Sequence, residues 1–533
     1  MRASEPDETE STVEVEHATK TRGAETDTQA APRHSSHQSA SQEHEVERER
    51  EVGAVAEAVE RPATGGGGRP RRLLLIGLGG ATPDLVLSAW RGQLRTLDLL
   101  ADRGAWCHLR AGQPWASTPA WLSLLSGLDP GQLGLYGPRR RVNHSYTPPI
   151  AVDSRAIHDP RLWDILGAAG KHVGVVGAPA TTPAPHVQGH LIGDAPLPDG
   201  SPATFPATLA QQVTNWLGEA VLPGAAPSAA DAGLPADHAD QLIQETYTRA
   251  EQRFLLARRL LARDVYDCFV LVDDGIASIQ RTLWDSFDPT HPRYTPDHPF
   301  AGAIGSFYRF VDDQLFELLE LVDDDTIIAI ASAGGAQALL GELALNEWLI
   351  AQGELVLRSA PTGAARLEQC TIDWERTRAW ADDAGAIYLN VAGREPLGAI
   401  PAEQAEQACR ELAERLRALV DENGAPALDV YRPEALYAAT QGVVPDLIVA
   451  CTRPGWRTTA IVGRGGVWAD TRAAALDAAY EMPQGFLVIY DPRNLGGGRS
   501  LDEATIYDVA PTLLTLLGQP VPPRLHGQVI AGF

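Results

Sequence analysis

The sequence predicts an α/β protein with a mostly parallel central sheet and helices on both of its faces, preceded by a disordered N-terminal tail. Three observations support this fold class. Short, continuously apolar runs recur along the chain, helical stretches separate them, and the first part of the chain lacks the large apolar residues that a core requires. Continuous apolar runs are typical of strands buried on both faces, and strands that alternate with helices form parallel sheets.

Residues 1–68 are expected to form a disordered acidic tail that ends in a flexible linker. The segment is rich in Glu, Ser, Thr, Gln and His, and residues 65–68 are all glycine. Such a segment buries too little apolar surface to offset the loss of conformational entropy on folding. Glycine runs behave as flexible coils. The folded domain is therefore expected to occupy residues 69–533.

The folded part opens with a predicted strand at residues 71–78, where apolar residues precede glycines that turn the chain. A helix is predicted next, at residues 84–103. Later strands are predicted at 173–176, 268–272 and 327–330, and helices at 159–169, 246–263 and 307–321. In such sheets the chemistry lies at the carboxyl ends of the strands. The stretch at about 201–265, which begins rich in Pro and Ala, is predicted to be an insertion or cap.

The composition favours a cytoplasmic protein that binds neither nucleic acid nor membranes. The formal net charge of -25 repels polyanions such as nucleic acid and anionic lipid. The 5 cysteines form no CxxC pair, which is expected of reduced thiols rather than of a disulfide framework. The start of the chain has no apolar run long enough for a secretory signal or a membrane span.

Several motifs occur in a characteristic order. Residues 75–84 read LIGLGGATPD, residues 117–127 read STPAWLSLLSG, and residues 506–514 read IYDVAPTLL; similar matches lie at 162–176, 345–349 and 385–396. Together they resemble the type I phosphodiesterase/nucleotide pyrophosphatase branch of the alkaline phosphatase superfamily, over about residues 71–530. The resemblance implies an alkaline-phosphatase-like fold.

The resemblance also implies a specific chemistry. In this superfamily two divalent metals, usually zinc, clamp the attacking and leaving oxygens of a phosphoryl displacement. A Thr or Ser hydroxyl is the nucleophile, and Thr118 falls at that position. Taken alone, Thr118 could equally cap the helix predicted to follow it.

The positions that hold the family's Asp and His ligands carry other residues in this chain: Gly79, Ala277, Arg281, Ala333, Gly334 and Glu481. Glycine and alanine offer no ligand atom. A guanidinium is always charged and cannot coordinate a metal. Glu481 could ligate a metal but makes a poor site by itself. We therefore expect no metal and no other cofactor, where the family would use two zinc or other divalent ions.

Three further residues are candidates for substitute ligands. Asp273 and Asp274 directly follow a predicted strand, and His291 lies in a DPTHP segment. The alternative is a solvated turn for the two aspartates and a structural loop for His291. The arginines at 139–141 could touch an anion, although a solvent-facing run of charge is the simpler expectation.

Three functions remain open at this stage. The first is a catalytically inactive binding or scaffolding homologue, in which Arg281 near Thr118 holds a small ligand that carries phosphate or sulfate. The second is an active metal-dependent phosphodiesterase or phosphatase that uses Thr118 and the substitute ligands. The third is a regulatory subunit that pairs with an intact relative of the family, with its acidic tail making the contact.

Overall fold

A central sheet of buried strands organises the molecule. The computed structural model describes residues 71–113, 115–218, 239–470 and 477–533. The tail predicted at residues 1–68 therefore lies outside the described residues.

The strands, in chain order, are β1 (Arg72–Leu78), β2 (Ala105–Arg110), β3 (Arg139–Arg140), β4 (Ile150–Ala151), β5 (Val173–Val176), β6 (Gly189–Pro196), β7 (Pro202–Phe205), β8 (Cys268–Asp273), β9 (Thr326–Ser332), β10 (Gly335–Ala338), β11 (Gly341–Ala344), β12 (Ala379–Ala381), β13 (Ala386–Leu389), β14 (Leu428–Tyr431), β15 (Leu447–Cys451), β16 (Trp456–Thr459), β17 (Trp468–Asp470), β18 (Ala479–Met482), β19 (Gln484–Tyr490), β20 (Arg499–Ser500) and β21 (Ala504–Thr505).

The α-helices are α1 (Arg95–Arg103), α2 (Ser117–Ser126), α3 (Pro130–Leu133), α4 (Leu162–Ala168), α5 (Leu209–Leu217), α6 (Ala239–Arg263), α7 (Gly275–Phe287), α8 (Ala303–Leu319), α9 (Leu345–Ala351), α10 (Ala405–Arg417), α11 (Pro433–Leu436) and α12 (Val509–Leu516). Shorter helical turns are a π-helix at Leu85–Ala89 and 3-10 helices at Ser154–Ala156, Leu367–Gln369, Ala402–Gln404 and Ile506–Asp508.

The main sheet has the strand order β20-β2-β19-β9-β1-β8-β5-β6-β7, and β21 also pairs with β2. The central strand β1 pairs in parallel with β8 and β9, and β5 pairs in parallel with β8 and β6. Strand β19 runs antiparallel between β9 and β2, and β7 is antiparallel to β6 at the far edge. The mostly parallel sheet that the sequence predicts is confirmed.

Two hydrophobic cores cover the two faces of this sheet. On one face Leu74 and Ile76 of β1 pack with residues of α1, α6, α7 and α8. On the other face Leu73 and Leu75 pack with residues of α2, α4 and α12. Successive residues of a strand point to opposite faces, so one apolar run supplies both cores. The prediction of helices on both faces is confirmed.

The helix predicted at residues 84–103 is broken in the structure. The π-helix Leu85–Ala89 is followed by a turn, and α1 begins only at Arg95. Gly92 lies in that turn with a φ of 84°, a left-handed conformation that glycine adopts without strain. The single helix predicted from the sequence is therefore wrong, because the chain turns at this glycine.

The described parts of the stretch at about 201–265 pack into the main layers. Strand β7 pairs with β6 at the sheet edge, and Phe254 and Leu256 of α6 enter the main core. A small four-stranded sheet lies later in the chain, between Ala379 and Cys451. Among the described residues, every helix is too short or too polar to traverse a lipid bilayer.

A second lobe is built on that small sheet. Its strand order is β12-β13-β15-β14, with antiparallel pairings throughout. Residues of α9 and α10, such as Trp348 and Leu412, pack with Ile387 of β13 in a third core. The lobe therefore has its own hydrophobic interior.

Candidate functional site

The positions predicted to match the family's metal ligands meet at one edge of the main sheet. Leu78 ends β1 in register with Asp273, which ends β8. Gly77 is level with Ala331 near the end of β9. Strand β18, which contains Glu481, pairs with β10, which follows β9 along the chain. The carboxyl ends of these parallel strands form the edge where α/β proteins place their sites.

The backbones after β1 and at the start of α7 are in direct contact. The Ala277 N–H donates to the carbonyl oxygen of Gly79 at 2.9 Å. A Cβ at Gly79 would lie 3.2 Å from the Asp273 carbonyl oxygen, and one at Gly80 would lie 2.7 Å from the Cα of Ala277. The structure therefore brings Gly79 and Ala277 together, but it leaves little room there for a carboxylate.

A buried hydrogen-bond network ties these loops together. Gln280 donates to the Gly80 carbonyl oxygen at 2.6 Å, and its Oε1 accepts from the hydroxyls of Tyr308 and Thr82 at 3.1 and 3.2 Å. The Thr82 oxygen accepts from the Ala336 N–H at 3.0 Å. The sequence did not predict Gln280, Thr82 or Tyr308 as site residues, because the network joins residues far apart in the chain.

The indole of Trp115 occupies the space beside Gly334. A Cβ added at Gly334 would overlap the indole ring and would lie 2.5 Å from the Met482 carbonyl oxygen. The neighbouring Ala333 is buried. Protein interiors are close-packed, so an imidazole at position 334 cannot coexist with this placement of Trp115. Sequence reasoning missed Trp115, whose only signal was its position just before the Thr118 segment.

Arg281 and Glu481, which the sequence predicts to stand at two of the family's His positions, pair with each other. Arg281 Nη2 lies 3.6 Å from Glu481 Oε1, and both side chains are about one-quarter exposed, at 25% and 27%. The Ala478 N–H donates to the Arg281 carbonyl oxygen at 2.7 Å, which fixes α7 beside the segment that leads into β18. The one carboxylate among the matched positions is therefore engaged by a cation of the same protein.

Asp273 and Asp274 are engaged in the same way by Arg253 of α6. Arg253 Nη1 lies 3.3 Å from Asp273 Oδ1 and 2.5 Å from Asp274 Oδ1. Asp273 Oδ2 also accepts from the Gly275 N–H at 2.9 Å. Burial raises the pKa of Asp273, which Arg253 offsets only in part. Burial also opposes ionisation of Asp274, but Arg253 outweighs it and lowers the pKa of that carboxyl.

Thr118 is the second residue of α2 and is partly buried. Ala116 is the N-cap, and no side chain makes a capping hydrogen bond at this terminus. The alternative role of Thr118 as a helix cap therefore finds no support in the geometry. The Thr118 hydroxyl therefore lies in the first turn of α2, shortly after Trp115 in the chain.

His291 lies in the interior of a loop. Its Nδ1 accepts from the Arg293 N–H at 3.1 Å, and its Nε2 lies 3.2 Å from the Leu339 carbonyl oxygen, to which it donates in that tautomer. Burial lowers the pKa of this imidazole. Both ring nitrogens therefore make hydrogen bonds that hold the loop.

The residues at this edge do not fit the two-metal centre that the family implies. Within residues 71–113, 115–218, 239–470 and 477–533, no group of three or more His, Cys, Asp or Glu side chains could hold a metal ion. A zinc site needs about four such ligands or three with a water. The carboxylates of Asp273, Asp274 and Glu481 each contact an arginine.

Comparison with solved structures places the fold. Human ectonucleotide pyrophosphatase/phosphodiesterase 5 aligns at 13% identity over 86% of this chain and 97% of its own, with a TM-score of 0.50. An inactive variant of the murine protein, in complex with AMP, aligns at 14% identity over 85% and 96%, with a TM-score of 0.46. Phosphonoacetate hydrolase from Sinorhizobium meliloti 1021, in complex with phosphonoformate, aligns at 16% identity over 83% and 96%, with a TM-score of 0.48.

The sequence itself matches no curated protein. It does match the family model described as type I phosphodiesterase/nucleotide pyrophosphatase, over residues 73–465. That match covers most of the chain, in agreement with the motifs and with the alkaline-phosphatase-like sheet. The chain therefore belongs to the type I phosphodiesterase/nucleotide pyrophosphatase family.

Proposed function

We propose that this chain is a catalytically inactive member of its family that serves as a binding or scaffolding protein. The contact between Arg281 and Glu481, 3.6 Å apart, carries the proposal. Where the family places two imidazoles, this chain places a cation and an anion that neutralise each other. A guanidinium cannot coordinate a divalent cation and repels it.

The packing around Gly334 supports the same conclusion. The Trp115 indole lies where a ligand at this position would project. A large apolar side chain in this space makes favourable dispersion contacts and leaves no room for a group that could bind a metal. The loss at this edge thus includes the space for the ligands as well as the ligand atoms.

The alternative is an active metal-dependent phosphodiesterase or phosphatase with Thr118 as its nucleophile. The uncapped position of Thr118 at the start of α2 favours it. The substitute ligands count against it, because Arg253 engages Asp273 and Asp274. Both ring nitrogens of His291 are already hydrogen-bonded, Nδ1 to the Arg293 N–H of its own loop and Nε2 to the distant Leu339 carbonyl oxygen.

An inactive homologue still needs a ligand or a partner. That a small molecule carrying phosphate or sulfate is held by Arg281 near Thr118 remains a prediction from the sequence, and such a ligand would compete with Glu481 for the guanidinium. A protein partner that binds the acidic tail, and a cytoplasmic location, remain predictions from the sequence.

The test is metal content together with hydrolysis of bis(4-nitrophenyl) phosphate. The wild type, Thr118→Ala and a Ser117→Ala control would be incubated with zinc or manganese, dialysed, and measured by elemental analysis and by nitrophenolate release. We expect less than about one equivalent of metal, and rates that are equal in wild type and Thr118→Ala. About two equivalents of metal, with activity lost in Thr118→Ala and kept in Ser117→Ala, would establish the enzyme instead.

A further inference from the structure

A pocket separate from the sheet edge lies between the β3–β4 hairpin and the second lobe. It has a volume of about 310 Å³. Residues that follow α2, such as Arg141 and Tyr146, form one wall, and Trp374, Trp380 and Tyr388 of the second lobe contribute to the other. Ligand pockets are typically concave, mostly apolar and furnished with a few polar groups.

Arg141 is a buried cation of this pocket, which corrects the expectation of solvent exposure at this position; Arg139, in the same run, is exposed as expected. Arg141 is 8% exposed, and its guanidinium carbon lies 4.9 Å from the Trp380 ring centroid and 4.6 Å from that of Tyr388. Burial lowers the pKa of the guanidinium. A charge in such surroundings is costly unless an anion or hydrogen bonds compensate it.

The compensation that the protein supplies to Arg141 is weak. Its nearest carboxylate oxygen, on Glu395, is 3.8 Å away and also contacts His144 and Arg394. Its Nη2 donates to the Ser145 carbonyl oxygen at a long 3.4 Å. Its Nη1 is buried and makes no hydrogen bond to any described residue. The guanidinium therefore keeps unused capacity to attract a negative group.

Apart from the exposed Glu368, the other charged groups of the pocket are engaged by the protein itself. Arg139 donates to the Pro149 carbonyl oxygen at 2.6 and 3.0 Å, and Arg366 pairs with Asp383 at 3.3 Å. Asp382 accepts from the N–H groups of Ala384 and Ala386 at 3.0 and 2.9 Å. Its carboxyl is held in place by these bonds, and Arg141 is left as the cation with the weakest pairing.

The aromatic side chains define the rest of the ligand. Tyr146 and Trp374 stack at 4.0 Å between centroids and 6° between planes, and Trp380 packs edge-on to Trp374 at 5.1 Å. Flat rings offer favourable packing to another flat ring through stacked or edge-on contacts.

We propose that this pocket binds a small aromatic anion, with its negative group facing Arg141 and its ring among the aromatic side chains of Tyr146, Trp374 and Trp380. This inference goes beyond the proposed function, because the pocket contains neither Thr118 nor any position matched to a metal ligand. The second lobe would bind this ligand whether or not the residues around Thr118 catalyse hydrolysis.

Isothermal titration calorimetry with 1-naphthoate tests the proposal, because a carboxylate cannot be consumed by phosphodiester hydrolysis. Neutral 1-naphthamide and cationic 1-naphthylmethylammonium serve as ligand controls. In the wild type, the acid should bind about tenfold or more tightly than the amide, as expected for an interaction with a charged group. Arg141→Gln should remove that advantage while it leaves binding of the amide nearly unchanged.

Two matched variants test whether 1-naphthoate binds at Arg141 and not at a neighbouring arginine. Arg140→Gln, next to Arg141 but outside the pocket lining, and Arg281→Gln, at the sheet edge, should each keep the affinity for 1-naphthoate within about twofold. If Arg141→Gln does not fold, Arg141→Lys and the contrast between acid and amide in the wild type decide the question. Equal binding of acid and amide, no binding at millimolar concentration, or loss of binding in Arg281→Gln would overturn the proposal.

Discussion

At the scale of single residues, Gly334 and Trp115 pack so closely that each limits the side chain that the other position can hold. Gly334 lies in the connection between β9 and β10, and glycine loses more backbone entropy on folding than other residues do. The Trp115 ring and the Met482 carbonyl oxygen are the groups that exclude a side chain here. The two positions are therefore coupled, and a larger side chain at position 334 requires a change at position 115.

Gly334→Ala tests this coupling. The added methyl group would overlap Trp115 and crowd the Met482 carbonyl oxygen, and overpacking of this kind costs about 1–3 kcal/mol. Urea denaturation should show that loss of unfolding free energy. Gly305→Ala in α8, where the nearest atom to an added Cβ is 3.6 Å away, should be neutral or slightly stabilising. Equal effects of the two substitutions would contradict the assigned role of Trp115.

At the scale of elements, α6 holds the carboxyl end of β8 through Arg253. Arg253 is 6% exposed and Asp273 is 2% exposed. Replacing one partner of a buried ion pair leaves the other charge uncompensated, which costs more than the pair contributes. The contact therefore holds α6 against the carboxyl end of β8, where Asp273 or Asp274 would have to be free in order to bind a metal.

Arg253→Gln should destabilise the fold by about 3 kcal/mol, because Asp273 would keep its burial and lose its cation. Chemical denaturation gives the change in unfolding free energy. Arg258→Gln on the same helix is the control, since Arg258 is partly exposed and pairs with Glu317 at 2.9 Å, where less than about 1 kcal/mol is expected. If manganese then stabilised Arg253→Gln but not the wild type, Asp273 and Asp274 would be a metal site suppressed by Arg253.

The sequence predicted the elements better than the contacts between them. The apolar runs located β1, β5, β8 and β9 because burial on both faces leaves a local pattern. The break near Gly92 was missed because one glycine does not interrupt a helical pattern. The placements of Trp115 and Arg253 follow from residues distant in the chain, which no local pattern records.

The motif also predicted which positions would meet at the sheet edge, because parallel strands bring their carboxyl ends together. It could not predict that Arg281 and Glu481 would pair, or that Arg141 would be buried. Those outcomes depend on side-chain packing across the two lobes. The roles assigned to Thr118 and to the matched ligand positions remain predictions that the metal and hydrolysis measurements will decide.

At the scale of the whole molecule, an excess of acidic groups shapes the dependence of stability on pH. The chain has 69 acidic and 44 basic residues, which gives its formal net charge of -25. Self-repulsion of this kind destabilises the compact state and is screened by salt. In addition to this general effect, the titration of one buried carboxyl should change the unfolding free energy near neutral pH.

Asp382 is that carboxyl. Burial raises its pKa from 3.8 to about 7, the nearby Asp383 raises it further, and the N–H groups of Ala384 and Ala386 and the Arg141 guanidinium oppose the shift. The unfolded chain loses this proton near pH 4 and the folded protein only near pH 7. Between these values the unfolded state binds fewer protons, so the contribution of Asp382 to stability falls as pH rises and is constant above about pH 8.

Asp382→Asn removes this titration and keeps an oxygen that can accept the same two N–H groups. The gain in unfolding free energy over the wild type should therefore grow from pH 4 to pH 7 and reach about 1–2 kcal/mol at pH 8. This is less than the full shift implies, because the side chain borders the pocket and keeps some contact with water. Urea denaturation at a series of pH values measures this gain in unfolding free energy.

Asp421→Asn is the control. Asp421 is exposed, and the Ala425 N–H lowers its pKa, so the change in unfolding free energy in this variant should not vary above about pH 5. A difference for Asp382→Asn that is flat across pH 4 to 8 would show that the pocket leaves this carboxyl ionised, and would remove the electrostatic setting in which Arg141 is the least compensated cation.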